Sequence, residues 1–579
     1  MKPRRIIPEE TRRLQTEASD PANSAWVSAH AGSGKTHVLV LRVIRLLLAG
    51  TDPSKILCLT YTRAAASVMA NRVFRDLSAW TMLDDAALAE RLAEVEGAPP
   101  PAQKLRRARR LFAQALETPG GLKIQTIHAF CEAVLHKFPL EANIAGHFEM
   151  LDPEMEAALF AEARRDMISG TTADENRALN EAFAAILTRA GEYGLDMVLQ
   201  EIVARRDDLR AFIEAGGAEM LNEEFGFAET DTAAGIAAQA WPVPGFSPAR
   251  LADLIALARR HDAAQTLDKL LEPAAIAFAE ADPERRLRKL REAFFKADGD
   301  PYKPTIFKKA LQAAEPGIVD DYNAAVEAIA RVADRHALFG MLEATRAVIV
   351  VADALTGRYE RLKSARGMLD FNDLISRTVR LLARTDAGPW IQFKLDQGID
   401  HILIDEAQDT SPQQWQVVRS LAEEFFAGLG ARQNATRTVF AVGDEKQSIY
   451  SFQGADPAAF AETRHAFRSR ADAADLRFRD VQLTWSFRST DDVLGAVDRV
   501  FADAGVRSGL TRDPEPVAHK AIRGGEPGSV EVWPSLGAEQ VDEPDDWTTP
   551  VNEASAPAIR VADKVATAIQ RITAADAPD

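Results

Sequence analysis

At 579 residues, 46% hydrophobic and 27% charged, the chain has a globular composition and room for roughly three to four domains at ~150 residues each. Its net charge of −17 excludes a protein that clings to nucleic acid through its whole surface, so any such contact must be confined to a cleft or a local patch. Apolar stretches such as Val348–Val351 fall far short of the ~20 residues of a membrane span, and the basic Met1–Arg5 leads into Pro8-Glu9-Glu10 without a signal-peptide core, so a soluble, cytoplasmic protein is expected.

The first predicted strand, Ala25–Ser28, runs into Ala29-His30-Ala31-Gly32-Ser33-Gly34-Lys35-Thr36, which is followed by the helical run Val38–Leu48. Strand, glycine-rich loop and helix together are the context of a phosphate-binding loop. The glycines let backbone N–H groups face a polyphosphate, Lys35 reaches the outer phosphates, and Thr36 offers a hydroxyl to Mg²⁺. Ala29 stands where the usual pattern opens with glycine, and a residue this small still fits. A second strand, Ile56–Leu59, ends in Thr60-Tyr61-Thr62-Arg63. An interruption from Trp80 to Glu117 contains the basic run Lys104–Arg110, and a third strand follows at Lys123–Gln125.

From Glu154 to Arg366 the texture changes to Ala, Leu, Glu and Arg with helical periodicity, which predicts helical subdomains inserted into a sheet domain. A second basic run, Arg285–Arg291, lies within it; such runs are usually solvated helix faces, with DNA contact as the rival reading. Strand Ile402–Ile404 then ends in Asp405-Glu406, where Asp405 would share Mg²⁺ with Thr36 and Glu406 would orient and deprotonate the attacking water. Strand Val439–Val442 leads into Gly443–Gly454, in which Gln447 precedes Tyr450 and Phe452, aromatics suited to stacking on nucleobases. The last strand of the series is Val481–Leu483. Residues Asp513–Ala558 read as an acidic linker with one strand-like piece at Val530–Trp533, before a final helix at Ala558–Ile572. Cys58 and Cys131 lack any metal-ligand spacing and read as buried hydrophobes. Because open α/β sheets bind ligands at the carboxyl ends of their strands, the polar clusters closing these six strands should converge.

In order and content these motifs, from Gln15 to Arg488, resemble the superfamily 1 DNA helicases of the UvrD, Rep and RecB group. The phosphate loop with its strand, the stretch Ile56–Ala66, and Gly443–Gly454 most resemble the AddA subunit of bacterial AddAB helicase–nucleases. The resemblance implies an α/β fold: a P-loop NTPase with a RecA-like parallel sheet, large helical insertions and the start of a second RecA-like domain. On that pattern residues 1–150 are the first part of the first RecA-like domain, 151–366 the helical insertion, 367–480 the remainder of that domain, and 481–579 the start of the second.

By the same resemblance Gln15 reads the adenine, Phe487 stacks on it, Arg488 reaches the γ-phosphate, and Gln447 senses that phosphate and couples it to DNA. Thr60, Tyr61, Thr62 and Arg63 line a single-stranded DNA track, joined by Thr126, His128 and Phe130, while Gly367–Leu374 is a family signature of less obvious chemistry. Gln453 and His37 depart from the family, standing where relatives often carry Arg. ATP and Mg²⁺, single-stranded and duplex-end DNA, and an AddB-like partner are implied. So is 3′-to-5′ translocation or unwinding in double-strand break repair and recombination. No match to the family's later motifs precedes Asp579, so the chain is expected to be the N-terminal portion of a helicase–nuclease subunit. Its principal rival is a module that binds ATP and single-stranded DNA without turnover; a small-molecule phosphate-loop kinase would leave the Tyr450 and Phe452 platform without a purpose.

Overall fold

The computed structural model describes residues 7–169, 177–384, 390–391, 394–395, 398–426, 436–510, 518–536 and 557–574. They divide into two compact units, one built from Met1–Cys131 with Leu381–Asp579 and the other from Glu132–Arg380. The helical unit therefore begins earlier and ends later than the insertion expected at 151–366, and residues 367–380 belong to it rather than to the sheet.

Six strands form one parallel sheet: β1 (Ser24–Ala29), β2 (Ile56–Thr60), β3 (Lys123–Thr126), β4 (His401–Ile404), β5 (Thr438–Gly443) and β6 (Phe478–Leu483), in the order β3-β2-β4-β5-β1-β6. Every pairing is parallel, so all six carboxyl ends lie on one edge. The interior strands β2, β4 and β5 are buried at every residue, which is why they read as unbroken apolar runs rather than as alternation. β6 pairs with β1 along all six of its residues, from Ser24 opposite Phe478 to Ala29 opposite Leu483. The boundary expected at 480 thus cuts a strand of the first sheet. The edge position of β6 explains the misplacement, since its first half is only partly buried and carries no apolar run.

Helices α1 (Glu9–Ala18) and α2 (Lys35–Ala49) flank β1, and α3 (Arg63–Met82), α4 (Asp85–Glu96) and α5 (Ala102–Glu117) occupy the link between β2 and β3. One face of α2, including Val38, Leu39, Val43 and Leu47, packs with Val73 and Leu77 of α3 and with Phe440 and Val442 of β5. Each such fully buried aliphatic contributes ~1.5–3 kcal/mol by leaving water. Trp26, fully buried in β1, stacks on Trp415 at 5.7 Å and meets Phe460 at 4.6 Å. Val530–Trp533 does not form a strand, and Val530 and Val532 are exposed. The final helix spans Pro557–Thr573, and most of the acidic linker lies outside the described residues.

In the helical unit, the helix Ile318–Arg366 ends at Gly367, and the signature Gly367–Leu374 leads into the next helix, Phe371–Ala383. Asp370 and Asp373 cap that helix reciprocally, each accepting the other's backbone N–H at 2.9 and 3.1 Å. The buried Lys363 Nζ sits among Glu360, Asp370 and Asp373 at 2.7, 2.8 and 2.6 Å. Burial works to raise the Asp370 pKa, but Lys363 overrides it and holds the carboxyl below its usual range. The three carboxylates, close enough to share a cation, already share this ammonium. The signature's chemistry is therefore a charged clasp between two helices.

Behind the phosphate loop, the fully buried Arg42 donates to the carbonyls of Ala18, Asp20 and Asn23 and to Thr438 Oγ1 at 3.0 Å. The Thr438 hydroxyl also lies 2.8 Å from His401 Nδ1, an arrangement that suits a neutral imidazole accepting from the threonine. Burial, reinforced by Arg42, lowers the His401 pKa to about 4. Since the unfolded chain binds this proton near pH 6.5, stability should be full above that value and fall by on the order of 3 kcal/mol as pH drops towards 4. Urea denaturation across this range should show that slope, and His401→Gln should flatten it; an identical slope in the variant would remove His401 as the cause.

Candidate functional site

The phosphate loop lies between the carboxyl end of β1 and α2, and its shape depends on two glycines in left-handed conformation, Gly32 at φ +73° and Gly34 at φ +93°. Gly34 is the N-cap of α2, so the helix's first N–H groups face into the loop, the arrangement that favours a phosphate. His30 N–H donates to Leu483 O at 2.9 Å, prolonging the β1–β6 ladder into the loop. Ala29 is buried at the end of β1, and Ala31 is half-buried. Ser33 Oγ and His30 Nδ1 are buried without a hydrogen-bond partner, two polar atoms suited to an anion in the loop.

Lys35, the first residue of α2, is buried and extends to Glu406 Oε2 at 2.6 Å and Gln447 Oε1 at 3.4 Å. These partners lie 371 and 412 residues away in sequence, at the ends of β4 and β5. Burial, and then the adjacent Glu406, push the Asp405 carboxyl up to about 6 against the opposing pull of Lys35. A buried carboxylate lacking a full counter-charge, acted on by Lys35 and with the hydroxyl-bearing Thr36 next to that lysine in the chain, is a donor set that fits Mg²⁺. Glu406 adopts φ +46°, a left-handed conformation that costs an ordinary residue ~1–2 kcal/mol and turns its side chain toward Lys35.

Gln408 closes the circuit. Its Nε2 donates to Glu406 Oε2 at 3.0 Å and to Asp409 Oδ2 at 3.2 Å, while its Oε1 accepts the Asp444 N–H at 2.9 Å. Asp444 in turn accepts from Gln447 Nε2 at 2.6 Å and pairs with Lys446 at 2.9 Å. Gly443 is required beside it, because a Cβ there would lie 2.7 Å from Gln408 Oε1. Sequence reasoning assigns Gln408 no role; its place beside Asp409 and two residues after Glu406 is the available signal.

The segment after β6 lies against the loop. Phe487 N–H donates to Gly32 O at 2.8 Å, and a Cβ on Gly34 would lie 3.5 Å from Gln15 Nε2 and 3.8 Å from the Phe487 ring. The buried Gln15 amide and an aromatic face thus flank the loop together, as an adenine pocket requires. His37 is on the same side, and burial lowers its pKa, favouring the neutral ring. Arg488 follows, with its Cβ over Gly32 and its side chain exposed. His519 meets His30 edge-on at 4.9 Å and is held by Asp498 at 2.5 Å, a contact with no sequence signal.

At the ends of β2 and β5 the rings of Tyr61 and Tyr450 lie 4.6 Å apart, and those of Tyr450 and Phe452 6.0 Å apart. Phe452 is 78% exposed, so this row of aromatics opens to solvent. Thr60 is buried and donates to Thr62 O, Thr62 caps α3 through the Ala65 N–H, and the exposed Arg63 opens that helix. Thr126 accepts the Ala129 N–H at the end of β3. Burial lowers the His128 pKa. Phe130 is only 5% exposed and packs inward, so its ring does not join the row.

Residues 10–468 match the sequence profile of the UvrD/REP helicase N-terminal domain. The chain belongs to that family. It is 24% identical over 523 residues to an ATP-dependent helicase/nuclease subunit from Lactobacillus acidophilus, covering 86% of this chain and 40% of that protein. The proteins of the same name from Desulforudis audaxviator and Bacillus pumilus are 27% and 26% identical, each over 82% of this chain and 38% of their own length. The chain thus spans about two-fifths of the length of these relatives. Among the described residues of this UvrD/REP-type chain, no helix is long and apolar enough to cross a membrane.

Gly32 tests the contact between the loop and the segment after β6. A Cβ there would lie 2.7 Å from both Arg488 Cβ and Ser486 Oγ, whereas one at Gly120, also left-handed, would meet nothing within 4 Å. Gly32→Ala should weaken binding of a fluorescent adenine nucleotide at least tenfold. Gly120→Ala should carry only the backbone cost of ~1 kcal/mol in stability; equal nucleotide affinities for the two variants would refute the close packing.

Proposed function

We propose that this chain is the ATP-hydrolysing, single-strand-gripping portion of a DNA helicase–nuclease that works in double-strand break repair. The observation that carries the reading is the loop after β5: Gln447, 3.4 Å from Lys35, is followed three residues later by Tyr450, which packs on Tyr61 at 4.6 Å. One short loop thereby joins the place where the outer phosphate sits to the place where bases stack. Movement of Gln447 between Lys35 and a phosphate would be passed on to the aromatic grip.

In this mechanism Lys35 exchanges Glu406 for the outer phosphates of ATP, and the released Glu406 orients and deprotonates the attacking water. Mg²⁺, held by Thr36 and Asp405, would neutralise charge on the phosphates. Gln15 and Phe487 hold the adenine, and Ala29, Ala31, Gly32, Ser33 and Gly34 shape the loop. Arg488 would bring positive charge to the γ-phosphate when the region beyond β6, the start of a second RecA-like domain, closes. Thr60, Tyr61, Thr62, Arg63, Thr126, His128, Tyr450 and Phe452 form the track; Phe130 supports it from within. The resemblance supports 3′-to-5′ translocation, an AddB-like partner and a cytoplasmic setting.

Glu406→Gln should leave nucleotide affinity within about threefold of the original while reducing hydrolysis stimulated by a short single strand by a factor of ~10² or more. A reduction below tenfold would assign the base elsewhere. If the unaltered chain binds both ligands but shows no stimulated hydrolysis, the binding-module reading replaces this one.

A further inference from the structure

Helix α5 presents a face that the ATP cleft does not use. Its apolar side, with Ala108, Leu111 and Ala115, is buried in the core shared with α3. The opposite side carries Gln103, Arg106, Arg107, Arg110, Gln114 and Glu117 around a polar hollow of about 660 Å³. Gln103 to Gln114 spans ~16 Å along the helix axis. The other cations of α5 are already matched, Lys104 by Glu96 at 2.5 Å and Arg109 by Asp85 at 2.7 Å. Arg107 donates at 3.4 Å to Leu48 O, near the carboxyl end of α2. Arg106 and Arg110 have no hydrogen-bond or ion-pair partner among the described residues, and Glu117 is the one carboxylate lining the hollow there.

In a chain of net charge −17, such a row is a local positive potential in an acidic field, which selects an extended anion. Guanidinium forks match phosphate oxygens in particular. The only aromatic residue of α5, Phe112, packs on the inner side against Phe74 at 6.5 Å, so the face has no platform for unstacked bases. We propose that the arginine face of α5 grips the phosphodiester backbone of duplex DNA, separately from the aromatic track. This inference rests on the helicase reading above, to which it adds a contact for the double-stranded part of the substrate. Because α5 takes no part in the nucleotide cleft, the grip should be the same with and without nucleotide.

The test uses the whole chain and a labelled blunt duplex, with an excess of unlabelled short single strand to fill the Tyr61–Tyr450–Phe452 track. Anisotropy titrations over a range of salt give the slope of log K against log salt. Arg106→Ala/Arg110→Ala should reduce the magnitude of that slope by about 2 and weaken duplex binding at least tenfold near 0.1 M salt. Arg106→Lys/Arg110→Lys should restore most of the slope, and thermal melting should match across all three proteins. Nucleotide affinity and single-strand-stimulated hydrolysis should be unchanged. An unaltered slope in the alanine variant would overturn the proposal, as would restriction of the effect to the nucleotide-bound state. If stimulated hydrolysis is absent in the unaltered chain yet the duplex slope responds, the helicase reading fails and the duplex contact stands.

Discussion

The parallel embedding of β1 between β5 and β6 is the constraint on which the rest of the site depends. Hydrogen bonding on both sides sets the height at which β1 ends, and hence where the phosphate loop begins. Because every neighbour is parallel, Asp405, Gln447 and Phe487 are delivered to the same edge as Lys35 although hundreds of residues separate them. An antiparallel β5 or β6 would send its polar cluster to the opposite edge. The buried Trp26, Trp415 and Phe460 on one side of β1 and the apolar face of α2 on the other leave that strand little freedom to shift.

Within this frame the electrostatics are poised. Lys35 faces Glu406 while Asp405 and Asp409 stand close by, and burial pushes the pKa values of both aspartates upward. A buried group of carboxylates served by one nearby ammonium is under-compensated, which favours entry of a divalent cation with its nucleotide. Gln408 stabilises this arrangement because an amide can donate to Glu406 and Asp409 and accept from Asp444 without adding charge. The same logic, with its charges balanced, appears in the helical unit, where Lys363, Arg206 and Arg377 together match Glu360, Asp370 and Asp373. One cluster is a clasp because side-chain cations match its carboxylates in number; the other is a site because its positive charge is incomplete.

Two differences between sequence pattern and structure share a physical origin. The pattern puts the second domain's boundary inside β6 because an edge strand is buried on fewer sides and its apolar signal is short. Motif position alone groups Phe130 with the exposed aromatics because it says nothing about whether a ring faces inward or outward. Exposure is a property of packing. Tyr450 and Phe452 differ from Phe130 in lying on a loop beyond a strand end rather than on a helix turned into the core.

Local chemistry is what the sequence by itself determined: a strand, a glycine-rich loop and a helix around Lys35, acidic residues after an apolar strand, and aromatics in a loop of small residues. These signals are legible because backbone conformation and strand burial leave marks within a few residues. Tertiary structure alone decided which clusters meet, since parallel pairing joins residues whose separation in sequence carries no record of their distance in space. It decided that Glu406 turns back onto Lys35, that Gln408 ties two strand ends together, and that Lys363 occupies the middle of three carboxylates. The unmatched arginines of α5 were visible as a basic run. Only the fold distinguished those already neutralised by Asp85 or Glu96 neighbours from those left facing solvent.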